Sequence, residues 1–148
     1  MEHLEWQRDG YTVSTDPTRL DMSFTIDYLA ETYWGKGTAK ATIRKSMANA
    51  LNFGLYEDGL SQDGARQVGY CRVVTDFARF AWLSDVFVLD EMRGRNLGKF
   101  VVDCAVNHPE LVDVRRFLLA TDDAHGLYQQ YGFETLPNAD KFMIKSSL

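Results

Sequence analysis

Six residues suited to holding an anion stand together in this sequence: Arg93, Gly94, Arg95, Asn96, Gly98 and Lys99. Before them, Phe80 to Leu89 is short, β-branched and aromatic, with apolar residues on both faces, as in a strand inside a sheet. After them, Leu97, Val101, Cys104, Ala105 and His108 recur at helical spacing and form one buried stripe. A strand that enters a helix through such a turn leaves the first helical N–H groups unpaired, with the positive end of the helix dipole behind them. That arrangement can hold a phosphate.

Two familiar phosphate loops do not fit. A Walker loop has four residues between its glycines and Ser or Thr after its lysine, whereas Gly94 and Gly98 enclose three and Phe100 follows Lys99. The dinucleotide fingerprint places a second glycine two positions after the first, where this chain has Asn96. Upstream, Asp85 lies inside the apolar strand, read as sharing a face with Leu83 and Phe87. A carboxylate so placed needs a reason, either proton transfer or a hydrogen bond to backbone or to Arg72.

Stepping outward, the 148 residues suit one domain spanning 1–148, with 45% hydrophobic and 25% charged residues. The net charge of −5 argues against a nucleic-acid binder, whose affinity rests on neutralising phosphates. It gives a weak lean toward a cationic acceptor. His3, His108 and His125 are isolated, so no metal is expected. Cys71 and Cys104 have apolar neighbours, which points to reduced, buried thiols and a cytoplasmic protein. Neither a leader nor a membrane segment is read from the pattern.

The elements that must position these residues follow in order. Tyr11 to Thr15 alternates as a strand. A helix runs from about Asp21 to Gly35, and a second is capped by Thr38. Strands are expected at Asn52 to Glu57, Gln67 to Thr75 and Arg79 to Leu89, the first two joined by a glycine-rich hairpin connector over 58–66. The helix beyond the basic turn stops at Pro109. Arg116 to Ala120 is a strand parallel to the Phe80 strand, because a helix crosses between them. Asp122 or Asp123 caps a last helix, Ala124 to about Tyr131, and two final strands are expected at Phe133 to Leu136 and Phe142 to Lys145. The layout is α/β, with a mixed, mostly antiparallel sheet flanked by about four helices.

The basic turn resembles the acyl-coenzyme A pyrophosphate loop of the GNAT N-acetyltransferase family, Arg/Gln-x-x-Gly-x-Gly/Ala after a strand ending Val-x-Pro-x-x-Arg-Gly. Val88, Arg93, Gly94, Leu97 and Gly98 fall on that pattern, while Asp90 replaces the usual Pro and Asn96 the middle Gly. Asparagine tolerates left-handed backbone, so Asn96 is compatible with the turn. Thr121 to Phe133 resembles the family's Asn-x-x-Ala-x-x-Leu/Phe-Tyr-x-x-x-Gly-Phe segment, with Ala124, Leu127, Tyr128, Gly132 and Phe133 matching and Thr121 in place of Asn. The order of elements agrees over essentially the whole chain.

The resemblance implies a GNAT-like domain that transfers acetyl from acetyl-CoA directly to a primary amine, on a small molecule or a peptide, in a ternary complex. The main chain from Arg93 through Gly94, Arg95, Asn96, Leu97 and Gly98 to Lys99 would grip the pyrophosphate, and Phe87 and Val88 would bond pantetheine through their main chains. Tyr128 would contact the coenzyme and protonate its sulfur, with Tyr131 structural. Asp85 would be the base, with Glu91 a substitute from the loop. Tyr33 and Trp34, between the first two helices, would enclose the amine together with Asp85. A monomer or homodimer without nucleic-acid or membrane partners is expected. The alternative is an idle acyl-CoA-binding or partner-binding module of the same fold.

Overall fold

The computed structural model describes residues 1–59 and 65–147, so the 58–66 connector lies partly outside the described residues. The chain forms β1 (Glu5–Arg8), β2 (Tyr11–Ser14), α1 (Met22–Glu31), α2 (Lys40–Ala48), β3 (Leu51–Glu57), β4 (Arg66–Thr75), β5 (Ala81–Val88), α3 (Leu97–Val106), β6 (Phe117–Leu119) and α4 (His125–Gln129). The six strands lie in sequence order in one sheet, antiparallel except for the β5–β6 pair. The expected α/β architecture is therefore present, with its parallel pair where a helix crosses over.

Two apolar layers sandwich the sheet. On one face Val13, Phe53, Leu55, Val73 and Leu83 pack with Phe100, Val101 and Cys104 of α3. On the other, Ile26 and Leu29 of α1 and Ile43 and Met47 of α2 cover Tyr70 and Phe87. Gln67 ties the second layer down: its amide donates to Thr25 Oγ1 at 2.9 Å and its carbonyl accepts the Asp21 N–H at 2.8 Å. Asp21 is also the N-cap of α1, accepting from the Phe24 N–H at 3.1 Å.

Several boundaries differ from the sequence expectation. Strand β1 was not anticipated. It pairs with β2 through Asp9 and Gly10, both at positive φ, the twist a two-residue hairpin turn favours. Helix α1 stops at Glu31 instead of reaching Gly35, because the Thr32 N–H turns back to the Leu29 carbonyl. Gly35 then lies so close to that carbonyl that a Cβ would collide with it. Ala39, not Thr38, caps α2, and Ala124, not Asp122 or Asp123, caps α4, neither with a side-chain bond. Thr121 accepts the Ala124 N–H at 3.0 Å instead. The two final strands do not form: among the described residues after Gly132 there is none, and Met143 and Ile144 are 97% and 90% exposed. Neither segment pairs with another strand, and strand propensity alone does not make one.

Candidate active site

The turn between β5 and α3 offers main chain, and its two arginines turn elsewhere. Gly94 has φ +82° and Asn96 has φ +57°, so the left-handed bend falls on the residue that stands in for glycine. Asn96 is the N-cap of α3 but makes no side-chain cap bond. The first bond of the helix runs from the Phe100 N–H to the Asn96 carbonyl. The expected grip begins one residue later than Arg93, whose N–H is taken by the Asp90 carbonyl at 3.2 Å; the amides of Gly94, Arg95, Asn96, Leu97, Gly98 and Lys99 find no partner among the described residues. Beside Gly94 and Gly98, the space a Cβ would take is open. Arg93 pairs with Asp90 at 2.9 Å, and Arg95 donates to the Tyr11 hydroxyl at 2.5 Å. These amides and the open space fit a diphosphate, with the positive end of a ten-residue helix behind it.

Upstream, β5 parts from β6. Only Ala81, Trp82 and Leu83 pair with β6, while Ser84 to Val88 continue with β4 alone. A bulge lies where they part: Tyr70 faces Phe87 and Arg72 faces Ser84, so two residues of β5 oppose Cys71. Asp85 sits there at φ +57°, uncommon for a residue other than glycine. The bulge reverses the alternation, so Leu83 packs in the α3 layer and Phe87 in the α1–α2 layer. The expectation that Asp85, Leu83 and Phe87 share a face is corrected accordingly. Phe87 stacks on Tyr28 at 3.9 Å between ring centroids, which commits its side chain to the core.

Asp85 turns toward the α1–α2 connection. Its Oδ2 accepts from Arg72 Nε at 2.6 Å and its Oδ1 from Trp34 Nε1 at 2.9 Å. Both charged side chains are largely buried, at 15% exposure for Arg72 and 12% for Asp85. Arg72 also reaches Ser84 Oγ at 3.4 Å. The hydrogen bond to Arg72 that the sequence left open is therefore present. Each carboxylate oxygen still has a lone pair for a further donor. Glu91 points elsewhere, 3.7 Å from Arg66, and does not line the cavity described next.

A cavity of about 520 Å³ opens over this ion pair. Its walls include Tyr33 and Trp34, the Arg72–Asp85 pair, Asp123 and Tyr128. Tyr128 is only 8% exposed, and no described residue hydrogen-bonds its hydroxyl. Burial pushes the phenol up to about 12, with Asp123 and Tyr33 adding to the shift, so it keeps its proton at neutral pH. Tyr131 is bonded away: its hydroxyl donates to the Lys99 carbonyl at 3.0 Å and ties α4 to the first turn of α3. At the mouth, partial desolvation and the carboxylates of Asp122 and Asp123 raise the Tyr33 phenol above its ordinary value.

Sequence reasoning missed the hydroxyls of the cavity wall. Thr38, Thr42 and Ser46 line it from one side, with Ser84 and Thr121 opposite. The spacing of four residues from Thr38, just before α2, to Thr42 and Ser46 within it was the signal, overshadowed by the apolar stripe of Ile43 and Met47. Cys71 and Cys104 are free and buried, and burial pushes the Cys104 thiol up to about 12 and the Cys71 thiol further.

Comparison with known proteins agrees with this geometry. The sequence profile of the acetyltransferase (GNAT) domain matches residues 50–135. A crystal structure of a GNAT-family protein from Xanthomonas campestris is 40% identical, with 95% of each chain covered and a TM-score of 0.85. A Gibberella zeae protein provisionally named an acetyltransferase is 28% identical over 83% of this chain and 78% of its own. The fold also matches a Clostridium acetobutylicum protein crystallised with acetyl-CoA, at 14% identity, a TM-score of 0.59, and 92% and 94% coverage. With more than half of its length matched by that domain and a close relative over nearly all of it, this chain belongs to the GNAT family of acetyltransferases.

Proposed function

We propose that the protein transfers an acetyl group from acetyl-CoA to a primary amine in a ternary complex, without a covalent enzyme intermediate. The observation that carries the reading is the hydroxyl of Tyr128, bonded by no described residue, on a largely buried side chain that lines a cavity beside the parted edge of β5. When bound, the coenzyme supplies an activated thioester. The amides of Gly94 to Lys99 bind its diphosphate, and the free edge of Phe87 and Val88 accepts its pantetheine arm as an added strand. An N–H of that edge facing the thioester oxygen would stabilise developing negative charge by roughly 2.7–4 kcal/mol.

The amine nitrogen forms a bond to the acetyl carbon as the carbon–sulfur bond breaks. Tyr128 donates its proton to the departing sulfur and regains one from solvent. Asp85 accepts a hydrogen bond from the amine through its spare lone pairs and takes the surplus proton directly or through water. Tyr33 and Trp34 enclose the amine from the α1–α2 side. The inert character of both buried thiols supports direct transfer and suits a cytoplasmic setting.

Thiol release from acetyl-CoA across a panel of amines tests the reading. Turnover is expected with at least one amine, and Tyr128→Phe is expected to lower kcat by about 100-fold or more with coenzyme affinity within about two-fold. Coenzyme binding without transfer to any amine would identify an idle binding module instead.

A further inference from the structure

The charges around the cavity do not balance, and the imbalance bears on the acceptor. Among the described residues, three that line it carry formal charge: Arg72, Asp85 and Asp123. Arg72 and Asp85 cancel within one buried ion pair, 2.6 Å apart. Asp123 is left, exposed at the mouth, with the exposed Asp122 beside it in sequence. Of the aromatic residues in the lining, which also include Trp82 and Tyr128, Tyr33 and Trp34 meet edge to face with centroids 5.0 Å apart. Thr38, just before α2, and Thr42 and Ser46 within it add hydroxyls, which can accept hydrogen bonds from N–H groups. An acceptor with a phosphate or carboxylate would meet no unpaired cation among the described residues of the lining, and Asp123 would repel it. Tyr128 provides a second observation, since the residue is nine-tenths buried, lines the same cavity and has a hydroxyl that no described residue hydrogen-bonds.

We propose that the acceptor is a small di- or polyamine. One amino group reacts between Asp85 and Tyr128, while a second, still protonated, is held at the mouth by Asp123 and the rings of Tyr33 and Trp34. This rests on the acetyl-transfer reading and narrows its substrate class. The hydroxyls of α2 follow the chain between the two amines. A cation near an aromatic face and one carboxylate gains a modest, salt-sensitive preference at a partly exposed site.

Three amines of matched length test the assignment: 1,4-diaminobutane, butylamine and 4-aminobutyrate, each with saturating acetyl-CoA. The expected order of kcat/KM is diamine above butylamine by about five-fold, with aminobutyrate lowest. The advantage of the diamine should shrink as salt is raised from 20 mM to 500 mM, on the order of the loss expected for a screened pair. Asp123→Asn, on an exposed loop, should bring the diamine-to-butylamine ratio close to one. Butylamine equal to the diamine, a preference for aminobutyrate, or a ratio untouched by salt and by Asp123→Asn would overturn the proposal and leave the acetyltransferase reading standing. Calorimetry in the presence of coenzyme A separates the two failures. Diamine that binds more tightly than butylamine without releasing thiol would sustain the site and overturn the transfer reading. Diamine that neither binds nor reacts would overturn the site.

Discussion

The two ends of the site are built from different material. At the donor end, Gly94 to Lys99 offer main-chain N–H groups, and Arg93 and Arg95 send their side chains to Asp90 and Tyr11. At the acceptor end, side chains from distant segments converge: Arg72 from β4, Asp85 from β5 and Trp34 from beyond α1. Each end turns on a non-glycine residue held left-handed, Asn96 in one and Asp85 in the other. The difference teaches what each end tolerates. A main-chain site survives changes of side chain but not of shape or local charge, whereas a side-chain site is sensitive to single chemical groups.

Substitutions that treat the two ends separately would break or sharpen this contrast. Gly98→Asp should act most strongly. The space beside Gly98 is open and an acid suits the first turn of a helix, so the fold should hold or gain slightly in Tm. A carboxylate there faces a diphosphate, and coenzyme affinity measured by calorimetry should fall by more than about 100-fold. A Tm gain with unchanged affinity would move the diphosphate elsewhere. Asp85→Asn comes next. Asparagine keeps the left-handed backbone available, so the bulge should persist, while kcat/KM for the amine falls by about 100-fold and coenzyme affinity stays within about two-fold. Near-normal turnover would restrict Asp85 to holding Trp34 and Arg72. Arg95→Gln should do least, with the KM for acetyl-CoA within about three-fold of the parent, because that guanidinium is already engaged by Tyr11. A loss of ten-fold or more would mean that Arg95 leaves Tyr11 for the ligand.

The same contrast explains what could be read in advance. The donor turn was legible because a main-chain site depends on local residue types, and Gly94, Asn96 and Gly98 announce the bend. The strands around it were legible from their apolar patterns, whereas β1 hid behind a short polar run whose Asp9–Gly10 turn was the overlooked sign. The acceptor end was half legible. Asp85 stood out as an acid in an apolar strand, but the bulge that reorients it arises from the β4–β5 register, which no local pattern encodes. The bond from Trp34 to Asp85 joins residues 51 positions apart and appears only once α1 lies on the sheet. The Phe142 to Lys145 expectation failed because strand propensity is not a partner.

The short junction of β5 with β6 has its own consequence. Three residue pairs hold β6, against seven between β3 and β4. Fastened so lightly, the unit made of β6 and the Tyr128 helix should be the first part of the sheet to open under mild denaturant, visible as early amide exchange across residues 117–131. A molecule lodged in the parting would clasp that unit from within and slow its exchange, so the region that opens most readily would also report most sensitively on occupancy.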